Sequence, residues 1–135
     1  MERLILDTTV LIAAERASRA TDEVMRDDDD VAMAAVTVAE LLVGVRLARR
    51  KHQAARRRYV NALIDAIPIE PYDLEVARTH AALLAHVHEQ GGPRGSHDLL
   101  IAATARRSGR TVVTADARGF ADLPQVDVRV LAAEG

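Results

Sequence analysis

Apolar residues in this chain form short continuous runs, separated by longer segments with helical periodicity. Residues 4–6, 31–34 and 111–114 are such runs, and they are typical of strands buried on both faces of a sheet. Residues 67–69 have a proline at their centre, which cannot donate to a central ladder, so an edge strand is predicted there. Residues 128–131 are expected to form the last strand.

The segments between these runs have apolar residues spaced three and four apart, which predicts helices. Helices are predicted over residues 8–16, 21–26, 37–47, 53–66, 73–90 and 99–105. Thr37 and Glu40 have the spacing of a capping box, and Ser96 or His97 is expected to cap the last helix. Strands that alternate with helices predict an α/β fold with a mostly parallel central sheet and helices on both faces. No long linker divides the chain, so residues 1–135 are predicted to form a single domain.

The composition suits a globular protein with its own core. The chain has 135 residues, of which 49% are hydrophobic, and this is enough for a self-sufficient core. It has no cysteine, which excludes disulfides and thiolate-bound zinc and fits a reducing cytoplasm. It has neither an apolar signal segment nor a run of about 20 apolar residues, so a soluble protein is expected, with no membrane partner.

The charges are unevenly distributed. A net charge of −2 gives no general argument for nucleic-acid binding, and an aromatic content of 2% weakens binding by base stacking. The positive charge is concentrated between residues 46 and 58, at Arg46, Arg49, Arg50, Arg56 and Arg57. This basic stretch is interpreted as a contact for RNA phosphates, a groove for a protein partner, or a solvated surface. An acidic run at residues 27–30 is expected to be an exposed loop.

Four acidic residues occupy positions where open α/β sheets bind ligands. Asp7 follows the first strand and Asp116 lies just beyond the 111–114 strand, so both are expected in the crevice at the carboxyl ends of the strands. Glu40 and Asp98 fall in the first turns of helices that can point toward the same crevice. Converging carboxylates repel one another, and a divalent cation that prefers oxygen ligands, Mg²⁺ or Mn²⁺, relieves the repulsion.

Each acid also has a purely structural explanation. Glu40 completes the capping box, and the helix dipole favours Asp98 in a first turn. Asp7 suits an N-cap, and Asp116 suits a turn. Asp7 is the hardest of the four to explain without a ligand, because it ends an apolar strand where folding needs no polar residue.

Four local sequences resemble the PIN domain, specifically the VapC-type toxins of bacterial toxin–antitoxin pairs. They are residues 4–12 around Asp7, 36–44 around Glu40, 98–105 starting at Asp98, and 113–116 ending at Asp116. The four occur in the family's order, and the likeness runs over nearly the whole chain.

The resemblance implies a Mg²⁺-dependent endoribonuclease, the toxin of a type II pair, which cleaves tRNA, rRNA or mRNA with a metal-activated water. It also implies a homodimer that is silenced by a small VapB-like antitoxin. Asp7 and Asp98 would be the direct metal ligands. Glu40 and Asp116 would act through coordinated water or on a second ion.

Four further residues are candidates for support or substrate contact. By the resemblance, Thr9 and Thr114 would hold the acids through their hydroxyl groups. Arg94 and His97 are near Asp98 in the sequence and are expected to contact the substrate. For His97, a place beside the helix cap is a better explanation than a role as general acid.

The sequence departs from the family pattern in two places. Members of the family often have asparagine where this chain has Asp116. They frequently have an acid directly before the phenylalanine of the next segment, whereas this chain has Gly119 before Phe120. The second departure removes one candidate ligand and weakens the expectation of a second ion.

Three other classes of protein are alternatives to a PIN-domain nuclease: a phosphatase, a response-regulator receiver and a PIN domain without activity. A haloacid dehalogenase-type phosphatase needs a second aspartate two residues after the first, where this chain has Thr9. A response-regulator receiver needs an early acidic pair and a suitably placed lysine, and Lys51 is badly placed. A degenerate PIN domain that serves only for binding or dimerisation stays open, although all four acids are present.

Overall fold

The computed structural model describes residues 1–17, 29–92 and 94–131. In chain order its elements are β1 (Arg3–Leu6), α1 (Thr8–Arg16), β2 (Asp30–Ala34), α2 (Ala35–Leu47), α3 (Arg50–Ala66), β3 (Ile69–Glu70), α4 (Leu74–Gln90), α5 (Ser96–Ser108), β4 (Thr111–Thr114) and β5 (Val128–Val130). A 3-10 turn at Ala117–Gly119 lies between β4 and β5. The helix predicted over residues 21–26 and the first half of the acidic run lie outside the described residues.

The five strands form one sheet in the order β3-β2-β1-β4-β5, and every pair is parallel. The predicted parallel α/β fold is therefore confirmed. β1 is the central strand, and its last residue, Leu6, is in register with Val113 near the end of β4. The carboxyl ends of β1 and β4 consequently lie side by side, and the chain that follows each of them emerges at the same edge of the sheet.

Helices cover both faces of the sheet, as the continuous apolar runs predicted. Ile5 packs in one core cluster with residues of α4 and α5, whereas Leu4 and Leu6 belong to a second cluster with residues of α1, α2 and α3. This division follows from the alternation of side chains along a strand. Among the described residues, no helix combines the length and the apolar character needed to cross a membrane.

The predicted capping box at the start of α2 is wrong. The helix begins at Ala35, its N-cap is Ala34, and no side chain caps it. Thr37 is already inside the helix and completely buried, and its hydroxyl has no hydrogen-bond partner. Glu40 is therefore free of a capping role, because the helix starts two residues before the predicted position.

The predicted cap of α5 is also wrong. The helix starts at Ser96, its N-cap is Gly95, and neither Ser96 nor His97 caps it with a side chain. Its predicted end is correct, since Gly109 adopts the left-handed conformation that terminates helices. The edge strand falls at Ile69–Glu70 rather than around Pro68, whose carbonyl accepts from the backbone of β2.

Candidate metal centre

Asp7 lies at the carboxyl end of the central strand and is almost completely buried, with 4% of its surface exposed. It is the N-cap of α1, because its Oδ1 accepts from the backbone N–H of Thr8 at 2.9 Å. The strand therefore ends and the helix begins at this carboxylate. The capping role predicted as the structural explanation occurs, but it occupies only one of the two carboxylate oxygens.

Two hydroxyl groups hold the other oxygen of Asp7. Thr9 Oγ1 and Thr114 Oγ1 each lie 2.8 Å from Asp7 Oδ2. Thr9 Oγ1 also accepts from the N–H of Ala115 at 3.0 Å, and Thr114 Oγ1 accepts from the N–H of Asp116 at 3.1 Å. Each hydroxyl therefore accepts from a backbone N–H and has its proton left to donate, to Asp7 Oδ2 in both cases or, for Thr114, to the carbonyl of Asp116 at 3.0 Å. These contacts tie α1 to the end of β4 through Asp7.

Glu40 enters the same region from the second turn of α2. Its Oε1 accepts from Thr8 Oγ1 at 3.0 Å, and its Oε2 lies 3.3 Å from His97 Nδ1. Thr8 was not predicted as a site residue, although its place between Asp7 and Thr9 was a sequence signal for it. His97, predicted to contact substrate, is half-exposed and is directed to Glu40 in this structure.

Asp98, in the first turn of α5, lies within electrostatic reach of all the other acids. Burial raises the pKa of the Asp98 carboxyl and is the largest cause of its shift. The remaining upward contributions come from the negative charges of Asp7, Glu40 and Asp116, and His97 opposes them. The structure thus brings the four predicted acids within electrostatic range of one another around Asp98.

Asp116 is compensated locally. Its carboxylate accepts from Arg118 Nε at 2.9 and 3.0 Å and from Arg118 Nη2 at 2.5 Å, and also caps the 3-10 turn through the N–H of Arg118. These hydrogen bonds lower the pKa of Asp116 to about 2. The predicted turn role is therefore present, and Arg118 is a neighbour that the sequence analysis missed.

The carboxylates converge without forming a complete ligand set. In the described part of the chain, no three His, Cys, Asp or Glu side chains are arranged to hold an ion as they stand. The reason is visible in the contacts, since Asp7, Glu40 and Asp116 are each turned to local donors. Carboxylate and hydroxyl oxygens nevertheless suit a hard divalent cation. Such an ion would offset the negative charges of Asp7, Glu40 and Asp116 that act on Asp98.

Arg94 differs from the other predicted site residues. Its Nη2 donates to the carbonyl of Ala121 at 2.8 Å, and its Nε is buried without a partner. The guanidinium is thus directed to backbone in this structure. It lines a cavity of about 340 Å³ whose other walls are mainly apolar, formed by Leu84, Val87, His88, Gly91, Gly92 and Leu99.

The basic stretch lies on the end of α2 and the start of α3. Arg46, Arg49, Arg50 and Arg57 are exposed. Arg56 is half-buried and pairs with Glu15 of α1 at 3.2 Å. Arg56 therefore belongs to the packing between α1 and α3, and a smaller cavity beside it, of about 90 Å³, is also lined by Glu40.

Comparisons with known proteins agree with this geometry. The family described as PIN domain matches residues 4–126. Ribonuclease VapC5 from Mycobacterium tuberculosis is 38% identical over 112 residues, which span 83% of this chain and 82% of the relative.

Solved structures give the same result. The structure of VapBC-5, a member of the VapBC family of toxin–antitoxin systems from Mycobacterium tuberculosis, is similar with a TM-score of 0.78 and 31% identity, covering 97% of this chain and 100% of that one. A structure of VapBC2 from Rickettsia felis bound to a promoter DNA fragment has a TM-score of 0.86 at 19% identity, covering 96% and 98% of the two chains, and shows likeness of fold alone.

Proposed function

Because the chain belongs to the PIN-domain family and is of the VapC type, we propose that it is the ribonuclease toxin of a toxin–antitoxin pair. The reaction is endonucleolytic hydrolysis of RNA that depends on Mg²⁺ or Mn²⁺. The observation that carries this proposal is the electrostatic convergence of Asp7, Glu40 and Asp116 on Asp98 at the carboxyl ends of the central strands. Such a concentration of negative charge is unfavourable for folding alone, and it suits a cation.

In the proposed mechanism, Asp7 and Asp98 would be the direct ligands of the ion, and Glu40 and Asp116 would contribute through coordinated water or to a second ion. A bound divalent ion supplies charge relief at the phosphate and an activated water. Hydrogen bonds fix the orientation of Asp7, with two on Oδ2 and one on Oδ1, so Oδ1 keeps a lone pair for an ion. Glu40, held by Thr8 and His97, can orient the attacking water. Attack by water leaves a 5′-phosphate and a 3′-hydroxyl, so a 2′,3′-cyclic phosphate would contradict the mechanism.

RNA binding is assigned to the exposed arginines of the basic stretch. Arg46, Arg49, Arg50 and Arg57 offer contacts for phosphates, which position an RNA without selecting its sequence. His97 lies between Glu40 and solvent and is a candidate for contact near the scissile phosphate. Replacing Arg49 and Arg50 together by glutamine should weaken RNA binding at low salt, with less effect at high salt. Unchanged binding would assign the stretch to a protein partner or to solvent.

The central test measures ion binding and cleavage separately. A thermal melt of the wild-type protein should shift upward with Mg²⁺ or Mn²⁺, because an ion that binds only the folded state stabilises it. Asp7→Asn should abolish the shift. Asp65→Asn is the matched control, since Asp65 is an exposed acid on α3. No shift in the wild-type protein would contradict the metal site.

Cleavage is then tested with total RNA and mapped product ends. The wild-type protein should cut in the presence of the ion, and Asp98→Ala should not. If the ion shifts the melt but no RNA is cut, the chain is a PIN-like binding or dimerisation module instead.

We also infer the partners and the location. The likeness to VapBC structures supports a small VapB-like antitoxin, which co-purification with the product of an adjacent small reading frame would test. Exposed apolar side chains on α2 and at the start of α4 support a homodimer; they are Leu42, Val43, Leu47, Tyr72 and Leu74. A monomeric mass by light scattering at all concentrations would contradict it. We infer a cytoplasmic location, because the proposed substrate is cellular RNA.

A further inference from the structure

Gly119 is in direct contact with the acid cluster. A Cβ atom added at this position would lie 2.0 Å from Asp98 Oδ2, 2.6 Å from Asp98 Cγ and 3.1 Å from Asp98 Cβ. Contacts below 3.0 Å are essentially never made by real Cβ atoms. The volume that a side chain at position 119 would fill is therefore occupied by the Asp98 carboxylate.

The backbone does not require glycine at this position. The glycines with positive φ are Gly91 and Gly109, whereas Gly119 ends a 3-10 turn with a conformation open to other residues. Space alone restricts position 119. Gly95 borders the same carboxylate from the start of α5, with 3.2 Å between its added Cβ and Asp98 Oδ2. Asp98 thus lies in a cradle formed by two glycines on different elements.

We propose that Gly119 is a positioning residue of the metal site, whose missing side chain leaves room for the Asp98 carboxylate to face the other acids. This inference rests on the proposed function. Any side chain at position 119 displaces the Asp98 carboxylate from the place that it occupies among the acids in this structure. Members of the family frequently have an acid at the position of Gly119. In this chain that position affects the site only through the room that it leaves for Asp98.

The physical consequence separates ion binding from folding. Displacement of the Asp98 carboxylate costs the metal-free protein little, because the two atoms that would clash below 3.0 Å, Oδ2 and Cγ, belong to a side chain that can change its rotamer. A divalent ion, by contrast, requires Asp98 in place. A purely structural role for Gly119 would have the opposite signature, a less stable protein with unchanged ion affinity.

The test is a series of three glycine substitutions, with Mn²⁺ as the probe. Melting temperatures in chelator and Mn²⁺ dissociation constants are measured for Gly119→Ala, Gly95→Ala and Gly44→Ala. Gly44 has open space around it and is the control. We expect Gly119→Ala to keep its melting temperature in chelator and to bind Mn²⁺ about 10–100-fold more weakly. Gly95→Ala should give a smaller loss and Gly44→Ala none.

A double-mutant cycle shows whether Gly119 acts through Asp98. In an Asp98→Ala background, the Oδ2 and Cγ atoms that clash are gone, so Gly119→Ala should leave the melting temperature in chelator unchanged. This arm stays informative even if Gly119→Ala alone folds poorly, because the removal of the clash should then restore folding. A further fall in melting temperature in that background would overturn the inference, because it would show that Gly119 contacts something other than the Asp98 carboxylate.

The two proposals fail in distinguishable ways. If the wild-type protein does not bind Mn²⁺, the metal site itself is refuted. If the wild-type protein binds Mn²⁺ and Gly119→Ala binds it within about twofold of the wild type, only the positioning role is refuted, since supporting residues commonly change affinity by about tenfold or more.

Discussion

Replacement of Thr114 with valine tests whether the hydroxyl network stabilises Asp7. Thr114 is completely buried, and its hydroxyl donates to Asp7 Oδ2 at 2.8 Å. Hydrogen bonds to charged groups contribute about 1.5–3 kcal/mol. Thr9 still donates to the same oxygen, so the loss should lie near about 1.5 kcal/mol. For a chain of 135 residues, an unfolding entropy of about 2.1 cal/mol/K per residue turns this into a fall in melting temperature of roughly 5 °C.

The assay has two readouts and one matched control. Thermal and urea unfolding in chelator measure the loss of stability, and a Mn²⁺ titration should show binding that is about 10–100-fold weaker, because Asp7 loses part of its orientation. Thr104→Val is the control: Thr104 is also buried, but its hydroxyl donates to the helix carbonyl of Leu100. Its ion affinity should not change. A Thr114→Val protein that melts and binds Mn²⁺ as the wild type does would refute the reasoning.

Three further predictions follow from individual charges. Asp98→Asn should stabilise the metal-free protein. Burial and then the neighbouring acids raise the pKa of Asp98, so the folded state loses stability as the pH rises above about 4. The free energy of unfolding that the asparagine variant gains over the wild type should therefore grow over that pH range. A gain in urea-unfolding free energy that is independent of pH would contradict this. Arg118→Ala should return the pKa of Asp116 from about 2 toward its ordinary value, measured by NMR titration of the carboxyl group; an unchanged value would contradict the assigned cause. Arg110→Met should cost about 3 kcal/mol, because it leaves Glu70 without its partner at 3.1 Å and, among the described residues, takes from Asp30 one of its two arginines, so that only Arg3 remains there. The ion-induced rise in melting temperature should survive, since Arg110 precedes β4 and the acids lie beyond its other end.

The sheet and most helix positions could be predicted from the sequence, because burial on both faces leaves continuous apolar runs. The predicted range of α1 was correct because its apolar residues follow helical spacing. The predicted end of α5 was correct because Gly109 adopts the left-handed conformation that terminates helices. The starts of α2 and α5 were wrong, because their N-caps are Ala34 and Gly95, which offer no side-chain hydrogen bond. A helix start without a capping side chain gives no local sequence signal.

The acids themselves could be found from their positions relative to the strands, and the resemblance supplied Thr9 and Thr114 as hydroxyl partners. The partners of Glu40 could not be predicted. Thr8 donates to Glu40 across 32 positions of sequence, and His97 pairs with Glu40 from another helix. Such contacts depend on the strand order, which a single sequence does not fix. The sequence showed that Gly119 stands where the family frequently has an acid. That the Asp98 carboxylate fills the space of its missing side chain could be learned only from the structure.

Substitutions in two groups of site residues should change the free energy of unfolding in opposite directions. Asp98 carries charge that its neighbours oppose, so its neutralisation should make the metal-free fold more stable while it abolishes ion binding. Thr9 and Thr114 compensate charge, so their removal should lower both stability and ion affinity. A site kept only for folding would show the second behaviour at every position. A gain of stability at Asp98 that coincides with a loss of ion binding is therefore the pattern that distinguishes a cluster maintained for a cation from one maintained for the fold.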